Sequence, residues 1–321
     1  MATTYPASVP MRIQARPGSR AERLYFRRAA LPDGGWTRPK AIAPGISPAP
    51  LDDLMFHGGK VVPKMEFQNV YLGGMAAWAA SDIAFIDTAI SRAMRNKRLN
   101  NVMAQYFPGA TLDCGMRASF VLDQVPPIQL DEPDVQAQVV ALFDAGLIGK
   151  TGLDSCIFNL VLPSGTVLKL DDASSLEGLG GYHGSVHFKR GGKRLTLYYS
   201  ANVFSEIRTS APNKGRENGI AVFDKPWKNV VGTLYHEINE FRTDADVNDA
   251  IVNNSNHFLG WTSREGHEVG DQPIFQAGEA GDLRLVFKEV SDAPRKLHLP
   301  VQFLYSNAVH GAEGPISKPH A

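Results

Sequence analysis

His236, Glu237 and Glu240 are the residues of this chain whose types and spacing most directly suggest chemistry. Four residues apart on a helix, His236 and Glu240 project from one face a turn from each other, a spacing at which two side chains grip a single ion. Glu237 lies beside them. In an HExxH site the glutamate after the first histidine takes a proton from water at the metal and passes it to the leaving amine. Here the order is His236-Glu-Ile-Asn-Glu240, so a carboxylate stands where a second histidine would. Zinc accepts carboxylate oxygen at about 2.0–2.2 Å, which makes the replacement chemically admissible. Four such residues alone also fit a surface helix with an acidic face. The sequel favours a site: Thr243-Asp-Ala-Asp246, Gly260-Trp261 and Gly266-His-Glu-Val-Gly-Asp271 form a polar stretch dense in possible ligands.

The elements that must position these residues follow from periodicity. Val230, Val231, Leu234, Ile238 and Phe241 recur as a buried helical face and predict a helix over 227–242. Ile83, Ile86, Ile90, Met94 and Val102 predict another over 82–103. A third, over 134–145, has Val135, Val139, Leu142 and Phe143 on one face behind the acidic start Asp131-Glu-Pro-Asp134. Strands are predicted at 67–72, 156–163, 167–170, 195–202, 283–290 and 297–305, and 243–280 reads as loop-rich. Residues 1–55, rich in Pro, Gly and Arg with strand-like patches at 11–15 and 24–28, read as a loosely attached arm. Residues 56–310 read as the main domain and 311–321 as a flexible tail. The mixture predicts an α/β (α+β) domain.

Composition narrows the function classes. The 321 residues carry 33 acidic and 33 basic side chains, so no strong field is expected to recruit nucleic acid or an anionic membrane. No apolar run reaches the roughly 18–20 residues needed to span a bilayer, and the opening residues lack the apolar core of a secretory signal. A soluble protein is expected, either cytoplasmic or exported by a non-classical route. Cys114 and Cys156 are too few for a thiolate zinc site and read as core thiols rather than a disulfide. The glycines Gly178-Leu-Gly180-Gly181 lack the following helix that a dinucleotide-binding turn requires.

The ordered blocks His236-Glu-Ile-Asn-Glu240, Thr243-Asp244, Gly260-Trp261 and Glu268-Val-Gly-Asp271 resemble those of the EXORDIUM, or phosphate-induced protein 1, family and its bacterial relatives. Phe56-His-Gly-Gly59, Leu162-Pro-Ser-Gly-Thr166, Gly180-Tyr-His-Gly184 and Val301-Gln302 with Tyr305-Ser-Asn307 are similar to further blocks of that family. The likeness spans 56–307 and is tightest over 230–275. Ala245 stands where the family usually has proline, Gln272-Pro273 replaces Leu-Cys, and the family's leader and extra cysteines are missing. The resemblance implies a zincin-like metallopeptidase fold, with a mixed sheet and an active-site helix, and one zinc or another divalent metal per chain.

The third metal ligand has several candidates. Glu268 falls 28 residues after Glu240, slightly beyond the interval used by gluzincin-type peptidases, with Asp271 then orienting His236. Asp246 lies ten residues after His236, the metzincin-type offset, and Asp271 is a further candidate for direct ligation. His183, Tyr182 or His267 could supply a transition-state donor, although a lone histidine in a loop is more often structural. A His-Glu-Glu ligand set leaves little positive charge to acidify water, which argues against strong proteolysis. Two readings follow: a metal-dependent hydrolase acting on a peptide or protein, or a zincin-derived binding or signalling module whose metal is structural.

Overall fold

In a computed structural model of the chain, the described residues are 12–25, 43–209, 213–292 and 297–320. They form a mixed α/β architecture around a curled seven-stranded sheet. The sheet runs from the edge strand Ile13–Ala15 through Leu179–Arg190, Lys193–Asn202, Cys156–Val161 and Lys64–Tyr71 to Asp113–Met116, and Phe120–Val121 also pairs with Lys64–Tyr71. The centre is parallel. There, Cys156–Val161 lies between Lys193–Asn202 and Lys64–Tyr71 and is buried along its whole length, which is why it reads as a continuous apolar run rather than an alternating one. The two longest strands form an antiparallel hairpin closed by Gly191 and Gly192, both at positive φ (56° and 76°), as a two-residue turn matched to strand twist requires.

The described residues hold seven α-helices: α1 Arg20–Tyr25, α2 Ala80–Arg95, α3 Lys97–Met103, α4 Glu132–Asp144, α5 Pro226–Thr243, α6 Val247–Asn253 and α7 Asp271–Glu279. The acidic start of α4 is a reciprocal cap, in which the Asp134 N–H donates to the Asp131 carboxylate and the Asp131 N–H donates to that of Asp134. The single helix expected over 82–103 is two, because Asn96 stops α2 and its side-chain oxygen caps α3 by accepting from the Arg98 and Leu99 amides.

Every residue of α5 from 229 to 243 is buried. Val230, Val231, Leu234, Ile238 and Phe241 join the apolar cluster that includes Ile86, Ile90 and Met94 of α2 and Leu299 and Val301 of the strand Leu297–Gln302. Asn229, Thr233, His236, Glu237 and Glu240 also recur at helical spacing and are equally buried. The helix therefore carries a polar stripe into the interior, and that stripe must meet polar partners there.

Several expectations are revised. Ile13–Ala15 is a buried sheet strand paired with Leu179–Arg190, so this part of the expected arm is built into the fold. The 24–28 patch begins inside α1, and its residues beyond 25, like Met11, lie outside the described residues. Within the expected tail, Gly311–Glu313 is a buried strand on Leu304–Ser306. Leu283–Leu285 is a 3-10 turn, with the strand following at Phe287–Asp292, and the stretch 243–280 contains α6 and α7. Both cysteines are free and buried, and burial pushes the Cys114 thiol up to about 11 and the Cys156 thiol up to about 12. Among the described residues no helix is long and apolar enough to cross a membrane.

Candidate metal centre

Three elements deliver the site. From α5 come His236, Glu237 and Glu240; from the middle of the strand Leu179–Arg190 comes His183; and from the entry to α7 come Glu268, in the preceding loop, and Asp271, the first residue of the helix. All six are buried. His236 Nε2 lies 3.0 Å from Glu240 Oε1 and 3.7 Å from Asp271 Oδ1. His183 Nδ1 lies 3.5 Å from Glu237 Oε2 and 3.6 Å from Glu240 Oε2, while its Nε2 is 3.7 Å from Glu268 Oε1.

Gly270 explains how the loop comes so near the helix. Its amide donates to Glu240 Oε1 at 3.1 Å, and a Cβ there would sit 2.4 Å from His236 Nδ1 and 2.8 Å from Glu240 Oε1. Any side chain would displace the histidine. Gly260 serves the same purpose behind the helix end, where a Cβ would lie 1.9 Å from the Thr243 carbonyl oxygen. The Gly260 amide donates to Asp244 Oδ1 at 2.9 Å, fixing the buried carboxylate that follows α5.

Both imidazoles are held by acceptors that set which nitrogen carries the proton. The Gln302 amide donates to the Gly270 carbonyl at 2.5 Å, which turns Gln302 Oε1 toward His236 Nδ1 at 3.0 Å. That oxygen only accepts, so His236 Nδ1 donates and the Nε2 of the neutral ring keeps its lone pair. Gln302 is itself oriented by Gln14, whose amide donates to the same oxygen and whose carbonyl accepts from the Thr233 hydroxyl. On the other side His183 Nε2 donates to the Asp244 backbone carbonyl at 3.1 Å, leaving Nδ1 as the free lone pair. Both lone pairs face the carboxylates.

Against this ordered surround, the inward-facing atoms find no hydrogen-bond partner in the protein: Nδ1 of His183, Nε2 of His236, both oxygens of Glu237 and of Glu268, and one oxygen each of Glu240, Asp244 and Asp271. A buried polar group left unpaired costs about 1–3 kcal/mol, and more if charged. Over this set the cost reaches the order of a domain's entire stability of about 5–15 kcal/mol. A cation, bound protons or ordered water must offset it. Among the described residues no lysine or arginine forms an ion pair with any of these carboxylates.

The electrostatics agree. Burial works to lower the His183 and His236 imidazoles, but the adjoining carboxylates outweigh it and push them up to about 9 and about 10. Burial works to raise Glu240, yet the two histidines pull it down to about 2. Burial raises Glu237, pushes Asp244 up to about 7, and holds Glu268 and Asp271 well above the carboxylate range, where the other carboxylates repel their charge. The donor set of two imidazoles and several carboxylates suits zinc or a similar divalent ion. Two sets of three donors each close within 4.8 Å of one another, His236–Glu240–Asp271 and His183–Glu237–Glu240.

The structure thus brings together His236, Glu237, Glu240, His183, Glu268 and Asp271, and redistributes their expected places. Asp271, ranked behind Glu268 as a ligand, is the one that faces His236 Nε2, whereas Glu268 lies toward His183. Asp246 is not in the cluster. It accepts from the Ser185 hydroxyl at 2.7 Å and joins His187 and Asp249 in a separate, partly exposed group. Tyr182 alternates with His183 along the strand and so faces the opposite side of the sheet, packing edge-on to Tyr199 with the Arg12 guanidinium 5.9 Å from its ring centre. It is no donor at this centre. His267 stacks on Phe275 and bonds to Gln272, outside the cluster. Asp244, Gln14 and Gln302 join the site without a ligand-type spacing to mark them; Asp244 and Gln302 sit in the Thr243-Asp244 and Val301-Gln302 blocks, while Gln14 carries no local signal. Comparison with protein-family models, curated proteins and solved structures finds no match to the chain.

Proposed function

We propose that this protein is a zinc-dependent hydrolase of the zincin-like type, acting on a peptide or protein. The observation that carries the reading is the set of unpaired, fully buried donor atoms converging from α5, its neighbouring strand and the start of α7 with the loop before it. His236, Glu240 and Asp271 would hold the ion. When bound, zinc supplies a Lewis acid that polarises a carbonyl and makes water a better nucleophile. Glu237, adjacent to the ligands, with both oxygens unpaired and its acidity weakened by burial, is placed to take the proton from the attacking water and return it to the leaving amine. His183 lies on the other side of Glu237 and Glu240, with Nδ1 3.5 Å from Glu237 Oε2 and 3.6 Å from Glu240 Oε2. The likeness of the Glu268-Val-Gly-Asp271 and HExxE blocks to EXORDIUM-type proteins supports the same reading.

One observation favours a second reading, a binding or signalling module with a structural metal. Every donor is closed off from solvent, as in sites whose ion holds a fold together rather than meeting a substrate. Zinc-loaded protein assayed on a mixed peptide library separates the two. Hydrolysis that disappears in Glu237→Gln while the zinc held by His236 stays bound supports the hydrolase, and zinc binding without hydrolysis by the wild type supports the module.

A further inference from the structure

We propose that the buried cluster is a dinuclear centre in which Glu240 bridges two divalent cations, one held by His236 and Asp271 and the other by His183 and Glu237. This builds on the metal site proposed above and adds a second ion to it. The two three-donor sets share Glu240 and nothing else. Glu240 presents a different oxygen to each: Oε1 lies 3.0 Å from His236 Nε2, and Oε2 lies 3.6 Å from His183 Nδ1. A carboxylate disposed in this way, with an imidazole lone pair beyond each oxygen, has the arrangement of a bridge in sites whose ions sit about 3.5–4 Å apart.

The surround treats the two imidazoles alike. The outer nitrogen of His236 donates to Gln302 Oε1 and that of His183 donates to the Asp244 carbonyl, so each ring directs a lone pair at its own ion position. A merely structural His183 would find a partner for Nδ1, yet that atom, Glu240 Oε2 and both oxygens of Glu237 have none. Charge points the same way. Glu237, Glu240, Asp244, Glu268 and Asp271 are all buried together, and when all five carboxylates are ionised one divalent ion leaves most of their charge unbalanced. Two ions bring the sum close to neutral, which a water-excluded interior requires. Coordination of the second ion through Glu237 Oε2 leaves Oε1 as the proton acceptor.

The test uses the full-length protein, stripped with chelator, reloaded with Mn²⁺ and freed of excess. Two ions per chain with an exchange-coupled electron paramagnetic resonance spectrum are expected. One ion per chain would overturn the second site while leaving the hydrolase reading intact; retention of neither Mn²⁺ nor Zn²⁺ would overturn both. Two ions without magnetic coupling would place the second elsewhere and also overturn the proposal. In His183→Asn the stoichiometry should fall from two to one and the coupling should vanish, with near-ultraviolet circular dichroism unchanged. Retention of two coupled ions in that variant would contradict the assignment of His183. Should that variant not fold, the wild-type stoichiometry and spectrum decide the matter.

Discussion

His236 and Glu237 are neighbours in sequence with opposite expected phenotypes. His236 turns a lone pair toward Glu240 and Asp271, so His236→Ala should release the ion they hold, whereas Glu237→Gln should retain that ion and lose hydrolysis. Metal analysis beside a peptide assay checks both; loss of the His236 ion in Glu237→Gln would show that the carboxylate belongs to its ligand set. Gln302 touches no ion position, yet it orients His236 Nδ1, and Gln302→Leu should weaken metal binding by about 10- to 100-fold in chelator competition at fixed pH. The α5 residues were legible because their spacing is local. His183 looks like a loop histidine in sequence because Gly180, Gly181 and Gly184 around it dilute the strand signal, and the pairing that makes it a strand lies with residues 13–15 and 193–202. Those glycines have their own cause: a Cβ at Gly181 would press on Thr233, the Ala201 carbonyl and Glu237, and one at Gly180 on Gln14.

At the scale of elements, α5 was predicted nearly to its ends because five apolar residues keep its period, and Pro226 suits its first turn. What periodicity could not tell is that its polar stripe also points inward, since a helix buried on every side normally reads as apolar throughout. The loop 263–270 was legible as polar but not as a wall of the site, because its path depends on Gly270 lying against His236. Gly270→Ala should therefore shift the helix and loop apart. The expected result is metal affinity reduced by at least about 10-fold and a lower melting temperature, both read by thermal unfolding with and without zinc. An unchanged zinc-induced rise in melting temperature would show that the close approach is not needed for binding.

For the whole molecule, the metal-free cluster ties stability to pH with a definite sign. Asp244 is raised from 3.8 to about 7, and the imidazoles of His183 and His236 from 6.5 to about 9 and about 10, so over these intervals the folded state binds more protons than the unfolded one. Stability from these groups is fully present below their unfolded values and falls as pH rises through the folded ones. Glu240, lowered from 4.5 to about 2, acts oppositely but only in that acidic window. Chelator-treated protein should thus lose stability steadily from about pH 4 to about pH 10. Bound metal competes with those protons and should reverse the trend. The most direct measurement of the central claim is the melting temperature of chelator-stripped protein at pH 5, 7 and 9, with and without added zinc. A rise on adding zinc that grows from pH 5 to pH 9, together with tightly retained metal, is the predicted result; melting temperatures that zinc leaves unchanged at all three pH values would contradict the existence of a metal centre in this cluster.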